Sequence, residues 1–203
     1  MNESTLLSIT DVAKAFRGTP VLKGVDLELR SGEMLAVVGE NGSGKSTLLK
    51  IAVGLLEPDA GAFSIRGTMG YCPQESLLFD TLTVRENFQF FGKAYGVTDW
   101  RERSDRLLER FQFAQYADYL ISEVSGGTRQ KLNLCIAVMH EPDVLILDEP
   151  YSGFDWETYV HFWEFTKELL EGGRALLVVS HLIYDREQFH AVHELIDGVL
   201  RCD

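Results

Sequence analysis

The opening third of the chain alternates short β-like apolar runs with turns: LLSITDVAKAF, VLKGVDLELR and then EMLAVVG, a buried strand that runs straight into a glycine-rich loop. STLLKIAVGLL switches to helical spacing, with Leu48, Leu49, Ala52 and Leu55 or Leu56 as its apolar positions, and EPDAG ends it with proline and glycine. AFSIRG and MGYCPQ predict a further strand pair. From about Thr81 to Leu120 the pattern is helical: TVRENFQFFGKAYG puts Val84, Phe88, Phe91 and Tyr95 on one face, and DWRERSDRLLERF has Trp100, Leu107, Leu108 and Phe111 as its apolar side.

A serine and two glycines, Ser125 to Gly127, then open a helix that reaches about His140. DVLILDEP and RALLVVSH predict buried strands on either side of the helix WETYVHFWEFTKELL, and HELIDGVLR predicts a hairpin turning at Asp197 and Gly198. In that helix Trp156, Tyr159, Phe162 and Trp163 have the spacing of core packing. Buried strands alternating with helices predict an α/β fold, a mostly parallel sheet covered on both faces, with a helical subdomain over about 81–140 inserted in it.

At 203 residues the expectation is one domain spanning 1–203. Three scattered cysteines, Cys72, Cys135 and Cys202, fit free thiols in a reducing compartment. The N-terminus does not read as a signal peptide and no apolar run approaches 18 residues, so a membrane role requires a partner. The net charge of −12 argues against nucleic acid as a partner, and residues 151–203 carry half of it, ten acids against four Lys or Arg. Phosphate must therefore be captured by local geometry against an unfavourable overall field.

Such geometry is present. Gly39-Glu40-Asn41-Gly42-Ser43-Gly44-Lys45-Ser46, followed by Thr47, fits G-x-x-x-x-G-K-[ST] between a strand and a helix. Its glycines let backbone N–H groups turn inward round a β-phosphate, Lys45 suits the β- and γ-oxygens, and the Ser46 hydroxyl suits Mg²⁺. LILDEP delivers Asp148, a Mg²⁺ ligand by type, and Glu149, a base or orienter for an attacking water, at the C-terminal end of a strand. His181 ends the neighbouring buried strand and is read as a γ-phosphate contact; His140, His161, His190 and His193 are read as surface or packing residues.

In this order the phosphate loop, Pro73-Gln74, VSGGT, LILDEP, SGFD and His181 resemble the ATP-binding subunit of ATP-binding-cassette (ABC) transporters, over about Ser8 to Val199. The resemblance implies a P-loop NTPase of the ABC ATPase type, with a small antiparallel β subdomain and a helical signature subdomain, and it implies ATP and Mg²⁺ as cofactors. It makes Gln74 the Q-loop glutamine that touches Mg²⁺ or water, and Phe16 the aromatic that stacks on adenine. It makes Ser125, Gly126 and Gly127 the signature that reads the γ-phosphate held by a second cassette, and Asp155 the aspartate that reaches across that interface. Two sequence departures stand in the signature, Val124 for Leu and Thr128 for Gln. The Ser-Gly-Gly core is kept.

The implied partners are an integral membrane transport subunit and a second copy or related cassette. The implied location is cytoplasmic, at the inner face of the membrane. TVRENFQFFGKAYG resembles the drug, lipid and antibiotic exporter branch, so export is the leading expectation. The link before Gln74 is short, and little sequence follows the final hairpin, so a minimal cassette is expected. The alternative is a soluble ABC ATPase driving a non-transport machine. A P-loop kinase or GTPase is disfavoured by the signature and by the absence of an N-K-x-D guanine reader.

Overall fold

The computed structural model describes residues 4–181, 183 and 185–202. Strands β1 (Thr5–Phe16), β2 (Thr19–Arg30) and β4 (Ala60–Ile65) form an antiparallel sheet in the order β2-β1-β4. A second sheet has the order β5-β6-β7-β3-β8-β9, built from β3 (Met34–Val38), β5 (Met69–Cys72), β6 (Val144–Asp148), β7 (Ala175–Ser180), β8 (Ala191–Ile196) and β9 (Val199–Cys202). All its pairings are parallel except the β8–β9 hairpin, which turns at Asp197 and Gly198. The expected mostly parallel sheet is therefore present.

Strand periodicity divides the core in two. Met34 and Ala36 of β3, with Leu145 and Leu147 of β6 and Leu176 and Val178 of β7, face one apolar cluster; the alternate residues Leu35, Val37, Ile146, Leu177 and Val179 face the other. The first cluster is completed by α2 (Val84–Ala94), α3 (Trp100–Arg110), α4 (Gly126–Val138) and α5 (Trp156–Glu171); the second by α1 (Lys45–Ala52) and the antiparallel sheet. Being buried on both faces is why these strands read as continuous apolar runs.

Four expectations are corrected. AFSIRG and MGYCPQ do not pair with each other: β4 adds to β1, whereas β5 lies beside β6 in the other sheet. The helix after the phosphate loop stops at Ala52, because Gly54 turns the chain in the left-handed region, and Leu55 is left exposed. Trp156 is not in the core: it is 78% exposed and stacks on Tyr159, while Phe162 and Trp163 are buried as expected. On α2 the expected face holds for Val84 and Phe88, both fully buried, and for Phe91, which packs against the core, but Tyr95 at the end of the helix is 44% exposed.

This topology gathers strand ends. β3 runs into the glycine loop, β5 into Pro73-Gln74, β6 ends on Asp148, and β7 delivers Ser180 and His181, all at the C-terminal edge of the parallel sheet. That edge is where open α/β sheets bind ligands.

Candidate functional site

The glycine loop is shaped by close approach. A Cβ at Gly39 would stand 2.5 Å from the Leu195 carbonyl and 2.8 Å from Ser43 Oγ. Gly44, with φ 111°, caps the N-terminus of α1, and a Cβ there would lie 3.1 Å from the Val21 carbonyl. Lys45 Nζ donates to the carbonyls of Gly39 at 2.5 Å and Glu40 at 3.0 Å, which folds the ammonium back over its own loop. Burial pushes its pKa down, and the charges of Glu149 and Asp148 oppose that shift. Ser43 Oγ is buried without a hydrogen-bond partner.

A cavity of about 400 Å³ is lined by Asn41, Gly42, Gly44, Lys45, Ser46 and Thr47 on one side and by Gln74, Asp148, Glu149 and His181 on the other, with Val21 at its wall. Six residues proposed for chemistry from three strand ends and one helix thus share one space. Phe16 does not join them: it is 46% exposed at the turn between β1 and β2, beside Lys14 Nζ at 5.8 Å from its ring.

Glu149 is held more firmly than a residue at a solvated turn. Its φ of 49° places a non-glycine residue in the left-handed region, a conformation that costs of order 1 kcal/mol and must be held by its surroundings. Its N–H donates to the Val179 carbonyl at 2.9 Å. The carboxylate is 8% exposed with its residue and accepts from Ser180 Oγ, His181 N and His181 Nδ1, each at 2.7 Å. A carboxylate accepts and does not donate, so Nδ1 carries the imidazole proton and Nε2 is left to meet a ligand. Ser180 was not singled out from the sequence; its one signal is its place immediately before His181.

Asp148 has its pKa raised to about 6, first by burial and then by the neighbouring Glu149 charge, with Lys45 and the Gln74 backbone N–H opposing. Linkage gives a sign. Between the unfolded value of 3.8 and about 6 the native chain holds the extra proton, so stability falls as pH rises through this window. Asp148→Asn is therefore expected to raise the Tm of the nucleotide-free chain at pH 7. The gain should close as pH falls from about 6 to about 4, as thermal melts across that range would show.

The residues fit the groups named above. The glycine cradle, the buried unpaired Ser43 hydroxyl and an ammonium bonded to carbonyls suit phosphate oxygens. The Ser46 hydroxyl, the Gln74 side chain and the destabilised Asp148 carboxylate are hard oxygen donors in one cavity, as a divalent cation requires.

The signature residues stand elsewhere. Ser125 caps α4, accepting from Thr128 N at 3.1 Å and sharing a hydroxyl contact with Thr128 Oγ1 at 3.0 Å. Asp155 caps α5 through Thr158 N at 2.8 Å, with Lys131 Nζ 3.7 Å away. Gly127 lies against the SGFD segment: a Cβ there would stand 2.7 Å from the Gly153 carbonyl. Ser125, Gly127, Thr128, Lys131, Gly153 and Asp155 line a cavity of about 460 Å³ that shares no lining residue with the phosphate-loop cavity. Gly126 opens α4, exposed, with nothing within 4 Å of where its Cβ would be.

The chain is similar to known proteins. The family described as ABC transporter matches residues 22–152. The linearmycin resistance ATP-binding protein LnrL of Bacillus subtilis (strain 168) is 33% identical over 196 residues, 90% of this chain and 63% of that protein. Nod factor export ATP-binding protein I of Burkholderia lata is 31% identical over 226 residues, 97% of this chain and 74% of that protein. The chain thus spans less than two thirds of the length of the first of these relatives.

Among solved structures, an ATP-binding subunit of an ABC transporter superposes with a TM-score of 0.91 at 28% identity, covering 96% of this chain and 88% of that one. The dimeric bacterial cassette MJ0796 superposes at 0.88 and 25% identity, covering 98% of each chain, and it is also known in a post-hydrolysis state bound to ADP and Pi. With a family match over most of its length and the phosphate loop, LILDEP and His181 round one cavity, the chain belongs to the ABC transporter family as an ATP-binding cassette of the ABC ATPase type.

Proposed function

We propose that the chain binds and hydrolyses ATP in the phosphate-loop cavity, pairs head to tail with a second cassette, and powers export through a separate membrane subunit. One observation carries this reading: Ser125, Gly127 and Asp155 line a cavity of their own, apart from the phosphate loop of the same chain. A phosphate reader without its own lysine is useful when another chain brings the lysine.

In this reading the glycine loop, Lys45 and Thr47 hold the phosphates, and Ser46, Gln74 and Asp148 hold Mg²⁺. When bound, the cation offsets phosphate charge and favours departure of the γ-phosphoryl group. Glu149 orients a water and takes up its proton, and His181 Nε2 faces the γ-phosphate while Nδ1–H stays on Glu149. Phe16 receives the adenine ring from its exposed position, and Asp155 contacts the second cassette. Loss of phosphate after hydrolysis removes the bridge between the two cassettes and lets them part.

Among the described residues no helix is long and apolar enough to cross a membrane, so export needs a membrane subunit, which would hold the cassette at the inner face of the membrane. The surface suited to that subunit follows Gln74. Leu77, Phe79 and Phe90 are exposed there, and the Phe79 and Phe90 rings stand 4.6 Å apart. The names of the relatives, one in linearmycin resistance and one in Nod factor export, support export as the direction.

Cross-linking tests the pairing. In a chain lacking its three native cysteines and carrying Glu149→Gln to retain ATP, Asn41→Cys and Ser125→Cys are introduced. Mild oxidation is expected to give a covalent dimer, faster with ATP than without. A disulfide confined to single chains, or a dimer yield indifferent to ATP, would assign the signature to its own chain's site and sink the head-to-tail reading.

A further inference from the structure

Helix α4 is buried on nearly every side, yet two of its buried side chains are amides, Gln130 and Asn133. A buried amide without partners is destabilising, so where these two bond decides why they are there. Asn133 Nδ2 donates to the Pro73 carbonyl at 2.7 Å and lies 3.4 Å from Cys72 Sγ. Gln130 Nε2 donates to the Pro150 carbonyl at 3.3 Å. Pro73 is the residue before Gln74, and Pro150 is the residue after Glu149. One helix therefore grips the backbone at the two places where β5 and β6 release their chains into the site.

The seam is tight along its length. A Cβ at Gly70 of β5 would collide with the Ala137 carbonyl of α4, so the helix lies directly on this strand. Burial pushes the Cys72 thiol pKa well up, which keeps the sulfur neutral beneath the amide. Apolar contacts alone let a helix slide by small steps, whereas directed hydrogen bonds to fixed carbonyls set its register.

We infer that Asn133 and Gln130 are positioning residues: a pair of buried amides that ties the Gln74 and Glu149 segments to the helix whose N-terminus presents Ser125. The inference deepens the function proposed above and rests on it. The two bonds connect the groups that meet a chain's own ATP to the helix that carries the loop offered to the second cassette's ATP. A displacement of Gln74 reaches Ser125 through the Asn133–Pro73 hydrogen bond and one helix.

Asn133→Leu keeps the branched outline of the side chain, is somewhat larger, and removes the donor. Two readouts are taken on the full chain. The first is amide exchange without nucleotide: residues 74–78 are expected to exchange about 10-fold faster or more, while β1 and β2 keep wild-type rates. The second is ATP turnover in a cycle with Gln74→Ala. Asn133→Leu should lower kcat about 10-fold in the wild-type chain and by less than about 2-fold when Gln74 is already gone. A general loss of folded protein would lower both backgrounds by the same factor. Equal factors, or unchanged exchange over residues 74–78, overturn the inference. If Asn133→Leu proves too unstable to purify, Gln130→Met serves instead: faster exchange over residues 151–154 is expected, and unchanged rates overturn. A wild-type chain that fails to hydrolyse ATP would undercut the proposed function, and the exchange readout would still decide the role of the amides.

Discussion

Glu149→Gln is expected to lower ATP turnover by about 10²–10⁴-fold while leaving nucleotide binding close to wild type. The geometry says why the change is so selective. Glutamine matches the size of the side chain and keeps one oxygen for His181 N and Nδ1, and its amide can be turned to meet the Ser180 hydroxyl, which both donates and accepts. The backbone at φ 49° tolerates glutamine as it tolerates glutamate. What is lost is the capacity to accept a proton from water. Steady-state phosphate release together with fluorescent-nucleotide titration would check both halves. Turnover matching wild type would remove Glu149 from the chemical step.

A charge at Phe88 and a charge at Phe90 are expected to give opposite phenotypes, although the residues are two apart. Phe88 is fully buried against the core that includes Val84, Phe111 and Ile121, so Phe88→Asp loses the ring and buries a carboxylate. Losing a buried phenylalanine costs about 3–5 kcal/mol before any charge penalty, against a total stability of about 5–15 kcal/mol. Phe88→Asp should therefore fail to give soluble, folded chain or melt far below wild type. Phe90→Asp should melt within a few degrees of wild type, retain ATP binding, and lose association with a membrane subunit. Equal Tm values for the two variants would contradict the packing of α2.

The phosphate loop, LILDEP and the Ser-Gly-Gly opening of α4 were legible because each is a contiguous string whose function depends on its own backbone. Asp148, Glu149 and His181 were legible because each follows an apolar strand run, and parallel strands bring such ends to one edge, whereas Gln74 came from the family resemblance alone. What escaped depends on which element lies next to which. β4 and β5 both read as strands, but their sheet partners, β1 and β6, are remote in sequence and leave no mark in the pattern. Trp156 obeyed the helical period yet falls at the first turn of α5, before the helix reaches the core. On α2 the period gave Val84, Phe88 and Phe91 correctly, but Tyr95, placed on the same face, lies at the end of the helix and stays exposed. The Ser180 contact with Glu149 requires the left-handed turn at Glu149, which no residue type announces.

The Thr128 departure has a consequence for how the signature would greet a ligand. The Ser125 hydroxyl lies 3.0 Å from Thr128 Oγ1, a pair in which either oxygen can donate, while a lone pair of Ser125 serves Thr128 N. When Ser125 is the donor of that pair, an acceptor brought to it must win the proton from a rival three residues away. The threshold is about one neutral hydrogen bond, of order 1 kcal/mol. A doubly charged phosphoryl oxygen clears it easily, since charge-assisted bonds are roughly twice as strong. A neutral hydroxyl or a water only matches it. Under the proposed function, threonine at this position would keep the serine quiet towards solvent and release it to an anion.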